Sequence, residues 1–218
     1  MGSNRFKSFA IGLGVAGSVA LPVYYLLVRR WHARWGATDE EVQRAMPGDD
    51  LVEHAWDVTT RAVTIRATPA EIWPWLLQMG YQRGGMYSND WIDKVMGVLD
   101  EPSSWEILPE FQHLEVGDVI PIGGSGPDWP VKSIEPFKSL VLDIRDSGVD
   151  ISWSFGLYEL DEEHTRFVLR IRIRLAPLMQ LLSFIPISDL GQFLMVRWML
   201  LGIKARAESL AAQRETIG

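Results

Sequence analysis

Residues 165–175 alternate between apolar and mostly charged side chains, and this alternation constrains the fold more than any other feature of the sequence. The two sets are Phe167, Leu169, Ile171, Ile173 and Leu175 against Arg166, Val168, Arg170, Arg172 and Arg174. Successive side chains of a strand point to opposite faces of its sheet. The pattern therefore predicts a strand of an antiparallel sheet, with one buried face and one solvated face.

Other segments are rich in β-branched residues and are bounded by turn-forming residues, which predicts further strands. They cover residues 58–67, 118–122, 131–134, 139–145 and 151–160. Together with the strand at 165–175, they predict a sheet of several antiparallel strands that makes up most of the second half of the chain.

Helix signals flank these strands. Thr38 and Thr68 are each followed three residues later by Glu, which is typical of capping boxes and predicts two helix starts. One of Ser88, Asn89 and Asp90 is predicted to cap a third, short helix. A last helix is predicted from Ser188 or Asp189 to about residue 212, and its apolar first half indicates a place in the core. We therefore predict an α+β domain whose sheet folds around a long C-terminal helix.

The N-terminal segment differs from the rest in charge and hydropathy. Residues 1–36 carry five basic and no acidic side chains, whereas the remaining 182 residues carry 16 basic and 28 acidic ones. Residues 8–28 are 21 consecutive residues without a charge, and as a helix they would be about 31 Å long, close to the thickness of a bilayer core. We predict a transmembrane helix here, with Leu13, Val19 and Leu26 among its membrane-facing residues.

This interpretation divides the chain into an anchor with basic flanks (1–34) and a second domain (35–218). It predicts a single-pass protein of the bacterial inner membrane, and the positive-inside rule favours a cytoplasmic second domain without settling the orientation. A cleaved signal peptide with small residues at 18–20 is the alternative. Ala10, Gly14 and Ser18 share one helix face, so a transmembrane helix of another subunit is a possible partner, although small residues are also simply common in such helices.

Composition excludes several classes of function. The chain has no cysteine, which excludes disulfides, thiolate metal sites and a cysteine nucleophile. Its net charge of −7 argues against a nucleic-acid partner, which would require a basic surface. The four histidines show no metal-ligand spacing, and we predict neither a metal, nor a cofactor, nor a catalytic residue.

Several segments together resemble a known superfamily. They are WGATDEEV at 35–42, IWPWLLQMG at 72–80, RGGMYSNDW at 83–91, VGDVIP at 116–121 and LLGIKARAE at 200–208. Over residues 35–212 the chain resembles the helix-grip domain of the START, Bet v 1 and polyketide-cyclase superfamily (SRPBCC), in a bacterial membrane-anchored branch. Met86 and Asn89 depart from that branch, where aromatic residues are frequent. The resemblance implies a curved antiparallel sheet around a long C-terminal helix, enclosing apolar small molecules.

The segment at 83–91 holds the strongest polar candidates for a ligand site. Two glycines allow unusual backbone angles, and Arg83, Tyr87 and Asp90 could hold a polar group of a ligand at the mouth of a pocket. Alternatively, Arg83 and Asp90 form a salt bridge while Tyr87 and Trp91 lie in the core.

Aromatic and charged residues on the enclosing elements complete the predicted site. Trp73, Trp153 and Phe193 are predicted walls of the pocket, although such residues are ordinarily core. Arg197 is isolated in the apolar half of the last helix, so it must reach solvent, pair with Asp143 or Asp118, or meet an anionic ligand.

These features lead to one main function and two alternatives. The main prediction is a membrane-anchored domain that binds a hydrophobic small molecule or lipid without catalysis. The uncharged segment at 175–187 would then be a lid over the cavity or a contact with the bilayer. The alternatives are an accessory subunit of a membrane complex, and an enzyme of the cyclase or hydrolase type with Arg83, Tyr87 or Asp90 in acid–base roles.

Overall fold

The computed structural model describes residues 24–123, 129–177, 179–180 and 186–217. It divides into two compact units, Met1–Ala33 and Arg34–Gly218. In the first unit, a π-helix at Tyr24–Val28 leads into helix α1 at Arg29–Ala33. The hydroxyl oxygen of Tyr24 lies 3.1 Å from Nε2 of His32.

The predicted membrane localisation needs correction. Most of the segment at 8–28, including Leu13, Val19 and the small-residue face, lies outside the described residues, while Leu26 belongs to the π-helix. Within the described ranges, no helix is both long enough and apolar enough to cross a bilayer. The prediction of a single-pass membrane protein is wrong on this finding, and the domain boundary at residue 34 stays a prediction.

The second unit is built on a six-stranded sheet. Its strands are β1 at Asp57–Ile65, β2 at Val119–Ile120, β3 at Trp129–Glu135, β4 at Ser139–Asp146, β5 at Val149–Glu159 and β6 at Thr165–Leu175. They lie in the order β1-β6-β5-β4-β3-β2, and every neighbouring pair is antiparallel. The α+β class and the antiparallel sheet are confirmed, and β6 has the predicted bounds.

The register brings apolar side chains together on one face of the sheet. Phe167 of β6 lies opposite Val63 of β1 on one side and Leu157 of β5 on the other. All three side chains are buried in the main hydrophobic cluster. Because directly paired residues project to the same face, the apolar set of β6 marks the face that carries the core.

Short helices begin where the sequence predicts them. Helix α2 spans Asp39–Gln43, α3 spans Pro69–Leu77 and α4 spans Asp90–Val95. Both predicted capping boxes are formed, with Glu41 accepting from the backbone N–H of Thr38 and Glu71 accepting from that of Thr68, each at 2.8 Å. The Asn89 side chain accepts from the backbone N–H of Ile92 at 3.1 Å.

Helix α5, at Pro186–Ile217, is the long C-terminal helix of the prediction. Val196, Met199, Leu200, Ile203 and Ala207 are buried in the main cluster, and their spacing of three and four residues places them on one helix face. This sheet and helix arrangement fits the helix-grip fold that the sequence resemblance implies.

The opposite face of the sheet is not solvated as predicted. Arg170, on that face, is only 3% exposed, because the chain from Trp35 to Glu53 folds across it. The guanidinium donates to Thr60 Oγ1, to an Asp49 carboxylate oxygen and to the backbone carbonyls of Glu41, Val42 and Arg44.

The neighbouring arginines of β6 bind the same covering segment. Arg166 donates to the Glu41 carboxylate at 2.6 Å, and Arg172 donates to the carbonyl of Val52 at 3.0 Å. Only Arg174 remains half exposed, paired with Asp150. The prediction of a solvated second face is wrong because carbonyls and carboxylates of a distant segment, and not water, accept the hydrogen bonds of these arginines. Alternation within one strand cannot reveal such a segment.

Candidate functional site

An apolar cavity lies between the sheet and α5. Its volume is about 110 Å³. The lining residues come from the sheet, from loops and from α5. They are Trp129 of β3 and Trp153 of β5; Met86, Ser88 and Val98 of the loops on either side of α4, with Ile122 of the loop after β2; and Gln192, Met195, Val196 and Met199 of α5. The sheet and the helix therefore leave a partly open apolar space between them instead of packing completely against each other.

The sequence of α5 explains how this helix forms one wall. Gln192, Met195, Val196 and Met199 follow one another at intervals of three, one and three residues, so they share one helix face. Two of the four are methionines, whose unbranched side chains adapt to irregular space. This wall can consequently adjust to apolar ligands of somewhat different shape.

Two tryptophans form the opposite wall. Their ring centroids lie 4.4 Å apart, and Trp153 also contacts Phe155 at 6.0 Å. Trp153 projects from the core face because its register partners are Leu142 and Ile171. Such an aromatic wall offers a large rigid contact area to an apolar ligand.

Ser88 lines the cavity just before α4 and contacts Asp93 of that helix. The Ser88 hydroxyl lies 2.7 Å from each carboxylate oxygen of Asp93, which is fully buried. Burial raises the pKa of Asp93 and the nearby Asp90 adds to the rise, while the hydrogen bond from Ser88 opposes it. The hydroxyl of Ser88 is thus engaged by the protein itself and leaves the cavity wall essentially apolar.

A polar group on the core face escaped the sequence analysis. Arg61 of β1 is fully buried, and its Nη2 donates to Oε1 of Gln192 at 3.4 Å. Its guanidinium also lies over the ring of Phe193, 5.6 Å from the centroid. A signal was available in the sequence, since Arg61 has the same strand parity as the buried residues Val63 and Ile65.

The predicted aromatic residues occupy different places. Trp153 lies in the wall of the cavity, whereas Trp73 packs against Phe137 at a centroid distance of 6.0 Å. Phe193 is buried next to Trp35, at 6.4 Å. The structure thus brings only one of the three to the cavity surface.

Arg197 takes a partner that the sequence did not indicate. Its guanidinium lies over the ring of Trp35, 5.0 Å from the centroid, which is a cation–π contact. Asp143, one proposed partner, instead pairs with Arg145 at 2.8 Å. The backbone N–H of Glu115 donates to Asp118, the other proposed partner, at 2.8 Å.

Arg83 and Asp90 do not form the salt bridge that was one of the two expectations. Arg83 donates to the carbonyls of Leu77 and Met79, at the end of α3, and lies over the ring of Phe111. Burial lowers its pKa, and the carboxylate of Asp118 opposes this effect. Arg83 therefore stabilises the C-terminal end of α3, as a cation near the helix dipole does.

The other members of the 83–91 segment also make internal contacts. Asp90 accepts from the hydroxyl of Ser103 at 2.7 Å. Tyr87 is 1% exposed and contacts the ring of Trp75, and burial raises its pKa. Trp91, in contrast, is 73% exposed. Arg83, Tyr87 and Asp90 are near one another in the fold, but none of them lines the apolar cavity.

Arg83 does border a separate surface groove of about 510 Å³. Its lining mixes charged and apolar residues: Gln82, Arg83, Leu99, Asp100, Glu101, Pro102, Ser104 and Leu108. The hydroxyl of Tyr81 donates to Asp100 nearby. In the part of the chain that the structure describes, no group of three or more His, Asp or Glu side chains could hold a metal ion.

Comparisons with known proteins identify similar folds only. No protein-family model matches the chain, and no curated protein matches it. Among solved structures, the chain is similar to a truncated norcoclaurine synthase from Thalictrum flavum, at 11% identity over 68% of this chain and 91% of that chain, with a TM-score of 0.42.

Two further structures show likenesses of the same order. The Aha1 dimer from Colwellia psychrerythraea is 18% identical over 70% of this chain and 96% of that chain, with a TM-score of 0.37. CalU16 from Micromonospora echinospora is 14% identical over 71% and 86%, with a TM-score of 0.34. At these identities and TM-scores, the matches assign neither a family nor an activity to this chain.

Proposed function

We propose that the second unit binds a small hydrophobic molecule in the cavity between the sheet and α5, without catalysing a reaction on it. The observation that carries this proposal is the apolar lining formed by Trp129, Trp153, Met195, Val196 and Met199. A dry apolar cavity of about 150 Å³ is known to bind benzene. A space of about 110 Å³ suits a single ring or the end of an alkyl chain.

The chemistry of the lining favours binding over catalysis. None of the described residues that line the cavity has an ionisable side chain, and acid–base catalysis needs such a group within hydrogen-bond reach of the reacting atom. The three candidates for acid–base chemistry, Arg83, Tyr87 and Asp90, contact backbone carbonyls, an aromatic ring and a serine instead. A lipid belongs to the proposed ligand class if one end of its chain enters the cavity.

Toluene titration tests this proposal. Trp129 and Trp153 both line the cavity, so binding should change the tryptophan fluorescence, and calorimetry gives the affinity independently. We expect saturable binding to the wild-type protein. Val98→Trp places a large side chain at the cavity, and we expect it to weaken toluene binding by about tenfold or more, because the new ring occupies the ligand's space.

Val95→Trp is the matched control. Val95 lies three residues away on α4 and is 71% exposed, so the same substitution should leave toluene binding within about twofold of wild type. Met195→Trp, from the helix wall, repeats the test if Val98→Trp does not fold. The proposal fails if the wild-type protein shows no saturable binding, or if the cavity variants bind toluene as well as Val95→Trp does.

A further inference from the structure

The surface groove beside Arg83 brings together opposite charges that do not pair with each other. Its lining contains the guanidinium of Arg83 and the carboxylates of Asp100 and Glu101. In the described part of the chain, Arg83 forms no ion pair with either carboxylate. Because an ion pair across the groove would close it, the separation of these charges leaves the space between them open to a ligand.

One nitrogen of the Arg83 guanidinium is available to such a ligand. Nε donates to the carbonyl of Met79 at 3.2 Å, and Nη2 donates to that of Leu77 at 2.8 Å. Nη1 has no hydrogen-bond partner among the described residues, and it is not a buried atom. The two bonds and the contact with the Phe111 ring hold the guanidinium in place, so an anion in the groove would meet a preorganised cation.

Hydrogen bonds also hold the backbone around the groove. The backbone N–H groups of Gly80 and Gly85 each donate to the carbonyl of the other at 3.1 Å, and the backbone N–H of Ser104 donates to the carbonyl of Gly84 at 2.9 Å. Gln82, between the two glycines, has a φ of 54°, which is uncommon for a residue other than glycine. Such strained residues cluster at ligand sites, and Gln82 lines the groove.

Apolar side chains complete the lining of the groove. They are Leu99, Pro102 and Leu108. Leu99 is 5% exposed, so it lies at the bottom of the groove, whereas the adjacent Asp100 and Glu101 are exposed. A ligand in the groove would therefore place an apolar part against the leucines and its charged groups against the charged side chains.

We propose that this groove binds an apolar amino acid in its zwitterionic form. The carboxylate accepts from Nη1 of Arg83, the ammonium donates to Asp100 and Glu101, and the apolar side chain lies against the leucines. A zwitterion is favoured over an anion, which the two carboxylates repel, and over a cation, which the guanidinium repels. The groove shares no described lining residue with the apolar cavity, so this site is independent of the function proposed for the cavity.

Three probes that differ by one charged group test the site. Leucine carries both charges at pH 7, isocaproate is leucine without the ammonium group, and isoamylamine is leucine without the carboxylate. We expect leucine to bind the wild-type protein about tenfold or more tightly than either of the other two. NMR titration measures the three affinities, at an ionic strength of about 0.01 M to limit the screening of exposed charges.

Neutral variants assign the preference to the carboxylates. The double variant Asp100→Asn with Glu101→Gln keeps the side-chain shapes at two exposed positions, so it should fold as the wild type does. Its preference for leucine over isocaproate should fall from about tenfold to within about twofold. The control is Glu106→Gln with Glu110→Gln, which removes the same charge at exposed positions on the same segment outside the groove lining, and it should keep the wild-type preference.

Each outcome of this experiment is decisive. Loss of the preference for leucine in the groove variant alone supports the amino-acid site. The site is refuted if the wild-type protein binds leucine no better than the other two probes, or if both double variants change the preference alike. Toluene binding to the groove variant should equal that of the wild type, so failure of this site leaves the proposal for the cavity untouched.

Discussion

Arg170 offers the sharpest test of how the sheet is covered on its second face. Its guanidinium, on a side chain that is 4% exposed, contacts the Asp49 carboxylate at 2.7 Å and three backbone carbonyls of the segment at 35–53. Arg170→Leu leaves these acceptors without their donor. Breaking a buried charged pair by removing one partner costs about 3–5 kcal/mol, so we expect a loss of this size in the free energy of unfolding.

The matched control is Arg174→Leu, four residues further along the same face of β6. Arg174 pairs with Asp150, but its side chain is 50% exposed. Exposed pairs contribute at most about 1 kcal/mol, so this variant should unfold nearly as the wild type does. Urea unfolding with linear extrapolation measures both free energies. Equal losses in the two variants would refute the conclusion that Arg170 fastens the covering segment to the sheet.

Two further predictions concern the same fold. Glu41 is buried, which raises its pKa, but the hydrogen bonds from Arg166 and Thr38 outweigh burial and hold the pKa below its ordinary value of 4.5. A group of this kind stabilises the fold above that value and loses the effect as pH falls through its folded pKa. Glu41→Gln should therefore lose less unfolding free energy than wild type between about pH 5 and about pH 3, and parallel losses in urea titrations would contradict this. On α5, a Cβ at Gly202 would lie 1.9 Å from the carbonyl oxygen of Tyr87, whereas one at Gly191 meets nothing within 4 Å. Gly202→Ala should therefore lower the melting temperature, because overpacking costs about 1–3 kcal/mol of unfolding free energy. Gly191→Ala should raise the melting temperature slightly through better helix propensity. The opposite order would show that α5 does not approach the Tyr87 loop this closely.

Local sequence signals anticipated the elements of the fold well. The capping boxes at Thr38 and Thr68, and the cap predicted within 88–90 that the structure places at Asn89, depend on side chains and backbone groups three residues apart, so the sequence contains all their parts. The alternation in β6 likewise predicts its bounds and core face without knowledge of the partner strands. These features explain why the α+β class and the long C-terminal helix could be predicted.

The second face of the sheet could not be predicted in the same way. Whether Arg170 reaches water or a carbonyl depends on where residues 35–53 lie, and that segment is more than a hundred residues away in sequence. The same reason applies in part to the 83–91 segment, where Asp90 accepts from Ser103 and Arg83 lies over the ring of Phe111 instead of the two forming a pair. Contacts between distant segments decided both cases, and a pattern within one strand or loop contains no information about them.

The candidate site contains one residue that the sequence placed correctly and one that it missed. Trp153 could be placed at the cavity from its position on an enclosing strand, and its role there stays a prediction until ligand binding is measured. Arg61 was overlooked because arginine is usually exposed, although its parity with Val63 and Ile65 points to the core face. A buried position for a charged residue is the kind of conflict between residue type and pattern that marks functional sites.

The central claim is that the apolar cavity between the sheet and α5 receives a ligand. Xenon binds such cavities without needing any polar contact, so a crystal of the protein held under xenon pressure tests the claim directly. We predict a strong xenon peak in contact with Trp129, Trp153 and Met199. A crystal structure in which these side chains fill the space themselves, with no xenon among them, would contradict it.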